Sequence, residues 1–224
     1  MARKKQSPDG EEIRSTRLRL IETAINLLGE RGVYGASLRE ISEQAGAKNT
    51  AAAHYHFGDR RGIIDASLDV VVQESSVAIG FDRARELGLA FVPRDDLIWR
   101  IMAQAMLPFV TLPLRHDWGY NGVRLLSRLI TVEGTEFASD LEARLQPGGA
   151  ELRDLMSVHL PAVTPAILAQ RVDFMFVNCI CGTAAFPYTT AVSNAGLADQ
   201  KTSGEFFVQL TDYVVGGVLA ASPP

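Results

Sequence analysis

Only Gly46, Ala47 and Lys48 stand between two short stretches that both read as helix, and this spacing constrains the fold more than any other feature of the chain. The first stretch opens with Ser37 and, three residues later, Glu40, a spacing that forms a capping box, and it buries Leu38, Ile41 and Ala45. Gly46 closes it. The second runs from about Asn49 to His56, with Asn49 or Thr50 placed to cap its first turn. Two short helices joined by a tight glycine turn form a helix-turn-helix.

The flanking segments supply the rest of a small head. Residues 15–32 place Leu18, Ile21, Ile25 and Leu28 at spacings of three and four, which predicts one buried helical face, and Arg31 followed by Gly32 ends that helix. A fourth helix opens with Asp59 as its N-cap and runs to about Ile79. Beyond Gly80, helical spacing continues. It predicts a helix over 95–112 broken near Pro108 and Pro113, others over 120–133, 136–145 and 149–158, a long one over 165–188 and a last one over 204–221. "QPGGA" at 146–150 reads as a loop. No stretch alternates with period two for long enough to make a strand, so the fold class is all-α.

About seven residues of helix are about 10 Å long, close to the width of a B-DNA major groove. Ala51, Ala52 and Ala53 then make sense. One side of such a helix must pack on its neighbours, the other must approach base edges without bulk, and an alanine can meet a thymine methyl. Lys48, Asn49, Thr50 and Ala51 stand at its N-terminal end, where helix-turn-helix proteins read bases. His54, Tyr55 and His56 stand at its C-terminal end, within reach of phosphate oxygens. A shared metal is a poor alternative, because residues i and i+2 of a helix point about 200° apart and no carboxylate or thiol lies at ligand spacing. A packing role remains open for both histidines, and for His56, beside Phe57, it is compatible with DNA contact.

Charge agrees with a polyanion met at one end only. Residues 1–62 hold 11 Lys+Arg against 8 Asp+Glu, whereas residues 63–224 hold 11 against 18. The N-terminal residues, with Arg3, Lys4 and Lys5, carry charge and no apolar run behind it, unlike a signal peptide, so a cytoplasmic location is expected. Cys179 and Cys181 lack zinc or disulfide-framework spacing and read as buried free thiols. The uncharged run over 174–198 raises a transmembrane reading, but Asn178, Pro187, Thr189, Thr190, Ser193 and Asn194 divide it, and a buried helix fits better.

Residues 14–76 resemble the N-terminal DNA-binding domain of the TetR family of transcriptional regulators. The resemblance lies in "IETAINLLGERGVYGASLREISEQAGAKNTAAAHYHFGDRRGII", with its Glu-Arg-Gly helix end, Tyr34, the Ser37 to Ile41 run, Ala45-Gly46 and the closing His56-Phe57. It implies a flexible basic arm over 1–13, a DNA-binding domain over 14–62 and a larger helical body over 63–224 that binds a small effector and forms a homodimer. It also implies DNA contacts from Ser37 and from Arg60, which stands where the family has a phosphate-binding lysine. Two departures stand out. The turn and recognition helix are one residue longer than the commonest spacing, and the usual tyrosine is His54, with Tyr55 next to it. Either could take that tyrosine's phosphate contact.

In the body, Trp99, Met102, Met106, Phe109, Trp118, Tyr120, Phe174 and Asn178 are the candidate effector-lining residues, although each is also an ordinary core residue type. The last two long helices carry broad apolar faces with Ile167, Val172, Met175 and Ile180, then Phe207, Leu210, Val214 and Val218, which suggest a subunit interface. The resemblance implies a four-helix contact there. No cofactor is called for. A helical enzyme or a protein-binding scaffold are the rival readings, and no nucleophile elbow, P-loop, HExxH or dinucleotide fingerprint supports the former.

Overall fold

The computed structural model describes residues 8–75, 96–131, 136–189 and 200–220. Every regular element among them is a helix: α1 (Pro8–Arg31), α2 (Leu38–Gln44), α3 (Ala52–Phe57), α4 (Arg60–Glu74), α5 (Leu97–Arg115), α6 (Gly119–Thr131), α7 (Ala138–His159), α8 (Pro165–Thr189) and α9 (Gln200–Leu219). The Arg3 to Lys5 arm, the continuation of the fourth helix to Ile79 and the apolar run beyond Thr189 lie outside the described residues.

Helices α1 to α4 make the head and α5 to α9 the body, with α6 touching α1, α4, α5, α7 and α8. The buried stripe of α1 begins at Leu20 and continues through Ile21, Ala24, Ile25, Leu27 and Leu28. Leu18, expected on that stripe, is half exposed, because the packed neighbours begin only after it. Helix α1 itself reaches back to Pro8, well ahead of residue 15.

Two expected breaks are absent. Helix α5 passes through Pro108 and Pro113, and Thr111 Oγ1 donates to Leu107 O at 2.9 Å beside the first of them. The "QPGGA" segment is helical too, inside α7. Proline and glycine cost a helix about 3 and 1 kcal/mol. Here Leu141, Leu152 and Met156, all buried on both sides of the segment, hold the helix against α8. Tertiary packing outweighs local propensity.

Helix α5 is long and apolar enough to cross a membrane by length and composition, but 67% of that stretch is buried inside the protein. Of the two free cysteines, Cys179 is fully buried, which pushes its thiol pKa up, while Cys181 is only partly buried.

Candidate nucleic-acid interface and ligand cavity

The turn between α2 and α3 is fixed by backbone bonds that the sequence dictates. Gly46 adopts φ +65°, its N–H donates to Glu43 O at 3.1 Å, and Ala47 N–H donates to Ser42 O at 3.0 Å, the two bonds of a Schellman motif. At the start of α2, Ser37 Oγ accepts from Glu40 N–H at 3.1 Å. The reciprocal half of the capping box is replaced, because the Glu40 carboxylate accepts from Arg31 at 2.7 Å and ties α1 to α2.

Ser42 joins the two helices, and nothing in its sequence position announces this. Its fully buried hydroxyl donates to Leu38 O at 2.9 Å and accepts from the buried Ala53 N–H at 3.0 Å. That N–H belongs to the first turn of α3, where no helical carbonyl can receive it. One oxygen thus satisfies the donor and sets the position of α3.

Helix α3 begins at Ala52, later than expected. Asn49 Oδ1 accepts from Ala51 N–H at 2.9 Å and Ala52 N–H reaches Asn49 O at 3.0 Å, so Asn49 shapes a turn before the helix. Ala53 is buried, whereas Lys48, Asn49, Thr50, Ala51, His54 and Tyr55 are all exposed, Tyr55 by 80%. His56 is half-buried against Phe57, ring centroids 6.1 Å apart. Arg17, unremarked in the sequence, places its guanidinium over the Phe57 ring at 5.2 Å and adds a cation beside this surface. Arg60 does something different from a free surface cation. Its Nη1 donates to Val33 O and Ala36 O at 2.9 and 2.8 Å, holding the loop between α1 and α2.

The head is joined to the body at two places. At the first, α1 lies so close on α6 that a Cβ on Gly29 would fall 2.1 Å from Asn121 O. Arg128 donates to Gly29 O and Glu30 O at 3.1 and 2.9 Å and Arg124 donates to Glu30 O at 3.5 Å, placing two cations at the negative end of α1. At the second, α4 meets α7. Arg144 Nε donates to Asp69 at 2.8 Å and Nη2 to Asp65 at 3.4 Å, and Arg61 pairs with Asp140. Burial works against the Arg144 charge, but the bond to Asp69 and the charges of Asp69, Asp65 and Asp140 outweigh it and raise its pKa.

Beside this second junction lies a cavity of about 560 Å³, walled by Val72 and Ser75 of α4, by Ile101, Gln104, Ala105 and Phe109 of α5, by Arg144, Leu145, Gly148, Glu151, Leu152 and Leu155 of α7, and by Phe176 of α8. Such a volume suits a small organic molecule. Of the eight residues expected to line an effector site, Phe109 alone is among them. Trp99, Met102 and Met106 are core, with Trp99 Nε1 donating to Asp212 at 2.8 Å. Trp118 stacks on His116, centroids 4.4 Å apart, in a polar hollow between α1 and the α5–α6 turn. Tyr120 donates to Ala184 O at 2.7 Å. Phe174 and Asn178 line a shallow groove on the outside of α8 and α9.

The same outer side bears on the expected interface. Met175, Ile180, Phe207, Val214 and Val218 are buried within the protomer, and Leu210 is partly so. Phe174, Val177, Tyr213 and Leu219 face outward, exposed by 57, 38, 69 and 43%. The apolar faces of α8 and α9 are broad enough to supply both a core stripe and an outer one.

Among the described residues no three His, Cys, Asp or Glu side chains gather as a metal set.

Residues 20–67 match the family model described as bacterial regulatory proteins, tetR family. Solved structures similar to the chain include a transcriptional regulator from Rhodococcus sp. Rha1, at 19% identity and TM-score 0.53, covering 92% of this chain and 99% of that one. They also include the TetR family transcriptional regulator PfmR from Thermus thermophilus, at 15% identity and TM-score 0.54, covering 92% and 97%. A third is the ketosteroid transcriptional regulator KstR2 of Mycobacterium tuberculosis, at 13% identity and TM-score 0.51, covering 88% and 93%. At these identities the likeness is one of fold. None of the curated proteins matches the chain.

Proposed function

With a head in the tetR family of bacterial regulatory proteins, the protein is one for which we propose the role of an effector-controlled transcriptional repressor. It binds a near-palindromic operator as a homodimer through α3 and is released by a small molecule held in the cavity beside α7. Residues 14–62 are the DNA-binding domain, residues 63–224 the effector and dimer domain. Catalysis forms no part of the role, and the rival scaffold reading leaves the groove-sized α3 without a purpose.

One observation carries this reading: only two residues, Gly58 and Asp59, separate the end of α3 from the start of α4, whose other end walls the cavity. A ligand among Val72, Ser75 and Phe109 therefore touches the helix that carries the recognition element. It acts through its difference in affinity between two placements of that helix. The exposed surface of Lys48, Asn49, Thr50 and Ala51 reads base edges, with His54, Tyr55, Arg17 and the Arg3 to Lys5 arm on the backbone. The outward stripe of Phe174, Val177 and Tyr213 pairs with its own copy about a twofold axis.

The test is selection of genomic DNA fragments by the full chain, followed by mobility shifts with a panel of small molecules. The reading expects fragments sharing an inverted repeat with half-sites about one helical turn, roughly 34 Å, apart or a multiple of it. Recovery of fragments with no repeated element, or binding that no molecule alters, would overturn the operator or the effector half respectively.

A further inference from the structure

Resting on the effector reading above, the charges and rings of the cavity point to the chemical class of its ligand. We propose that the effector is a hydrophobic cation, an amine or ammonium on an apolar body, seated between Glu151, Ser75 and the rings of Phe109 and Phe176.

Among the described residues that line it, two are charged, Arg144 and Glu151. They are not equivalent. Arg144 is engaged by Asp65 and Asp69, and its Nη1 donates to Asp140 O at 3.1 Å. Glu151 has no ion pair or hydrogen bond among the described residues. Around the cavity three arginines, Arg61, Arg144 and Arg153, stand among five carboxylates, those of Asp65, Asp69, Asp140, Asp173 and Glu151, and each arginine is already paired with an aspartate. An anionic ligand would have to take Arg144 from Asp69 and approach Glu151 as well. A cation meets Glu151, exposed at the rim, with no described protein partner to displace.

Two further features favour the same sign. Phe109 and Phe176 stand edge to face with centroids 6.0 Å apart, and each lines the cavity, so a cation can lie over a ring face. Ser75, at the C-cap of α4, is 6% exposed, and its Oγ has no hydrogen-bond partner among the described residues. A buried hydroxyl in that state calls for a reason. Ser75 lines the cavity, and a turn about its χ1 bond would present this oxygen to a bound N–H. The remaining wall, with Ile101, Ala105 and Leu152, accepts an apolar body. A primary ammonium bonded to Ser75 and paired with Glu151 would link the end of α4 to α7, which is the connection an effector must change.

Three probes with one tail test this: octylammonium, octanoate and 1-octanol, titrated calorimetrically into the full chain. Octylammonium is expected to bind about tenfold or more tightly than octanoate, the worth of one charge pair at a partly solvated site. Glu151→Gln and Ser75→Ala should each weaken octylammonium while leaving octanol unchanged. Gly148→Trp should abolish all three, since a Cβ at this lining position meets no atom within 4 Å, which leaves room for an indole to cover the cavity mouth. If all three bind alike, or octanoate binds best, and Gly148→Trp still abolishes binding, the charge class is overturned and the effector cavity stands. If no probe binds, or Gly148→Trp has no effect, the cavity is not the effector site and the proposal falls with it.

Discussion

Replacing Ser42 with alanine removes one oxygen atom and leaves the Ala53 N–H buried with no acceptor. Ala53 and Ser42 are both fully buried, so water cannot take over. An unsatisfied buried donor costs about 1 to 3 kcal/mol. Alanine returns a few tenths of a kcal/mol as the better helix former in α2, which leaves a net loss of roughly 1 to 2.5 kcal/mol. Urea unfolding followed by circular dichroism should show the midpoint fall with an unchanged slope. For a chain of 224 residues the unfolding temperature should drop by about 2 to 4 °C per kcal/mol lost. Operator affinity should fall more than affinity for random DNA, because α3 loses the bond that sets its angle while the head keeps its charge. A variant within about 0.5 kcal/mol of wild type, the ordinary range of a neutral substitution, that also binds its operator undiminished would refute the bridging role of Ser42.

Three further outcomes follow from side chains already placed. Arg60→Ala should lower the stability of the head by about 1 to 3 kcal/mol through Val33 O and Ala36 O, leaving the salt dependence of DNA binding unchanged; a slope smaller by about 0.9 would instead assign Arg60 to a phosphate. Asn49→Ala should cost about 1 to 3 kcal/mol at a single base pair of the operator, measured by a substitution scan, whereas a uniform loss at every position would make Asn49 a turn former alone. Val177→Asp alters an exposed position, so the protomer should stay folded and helical while sedimentation shows monomers and operator binding weakens; a dimer of undiminished affinity would rule out the outer face of α8 as the interface.

The head was legible in the sequence because its signals are local. Ser37, Gly46 and Asp59 each act on backbone within three residues of themselves, and each does so in the structure. What could not be read there was the angle between α2 and α3, since the Ser42 hydroxyl and the Ala53 N–H meet only after the turn closes. The cavity failed for another reason. Its lining comes from four helices, and the segment holding Gly148 reads locally as a loop, so the predicted helices carrying Arg144 and Glu151 had no fixed phase relative to each other, whereas the structure joins them in one. Composition alone marked Trp99, Met102 and Met106, and these large apolar side chains went to the core. In α8 the choice between Phe174 and Phe176 is one of rotation about the helix axis. Sequence spacing leaves that rotation open when a helix is apolar on most sides.

Under the proposed effector control, the close approach of Gly29 to Asn121 would serve as the fulcrum of a lever. Where backbone rests on backbone and arginines hold the last carbonyls of α1, the contact can turn but has little room to slide. Motion must then come from the other support, the charged one between α4 and α7. Fifteen residues of α4 span about 22 Å at about 1.5 Å each, so a tilt of roughly 5° displaces the recognition end by about 2 Å. Two such arms, one from each half of a dimer, would change the reach between major grooves by about 4 Å out of roughly 34 Å. A tilt of that size would work against the three ion pairs between α4 and α7, and on the proposed operator it would lift one recognition helix out of register with its groove.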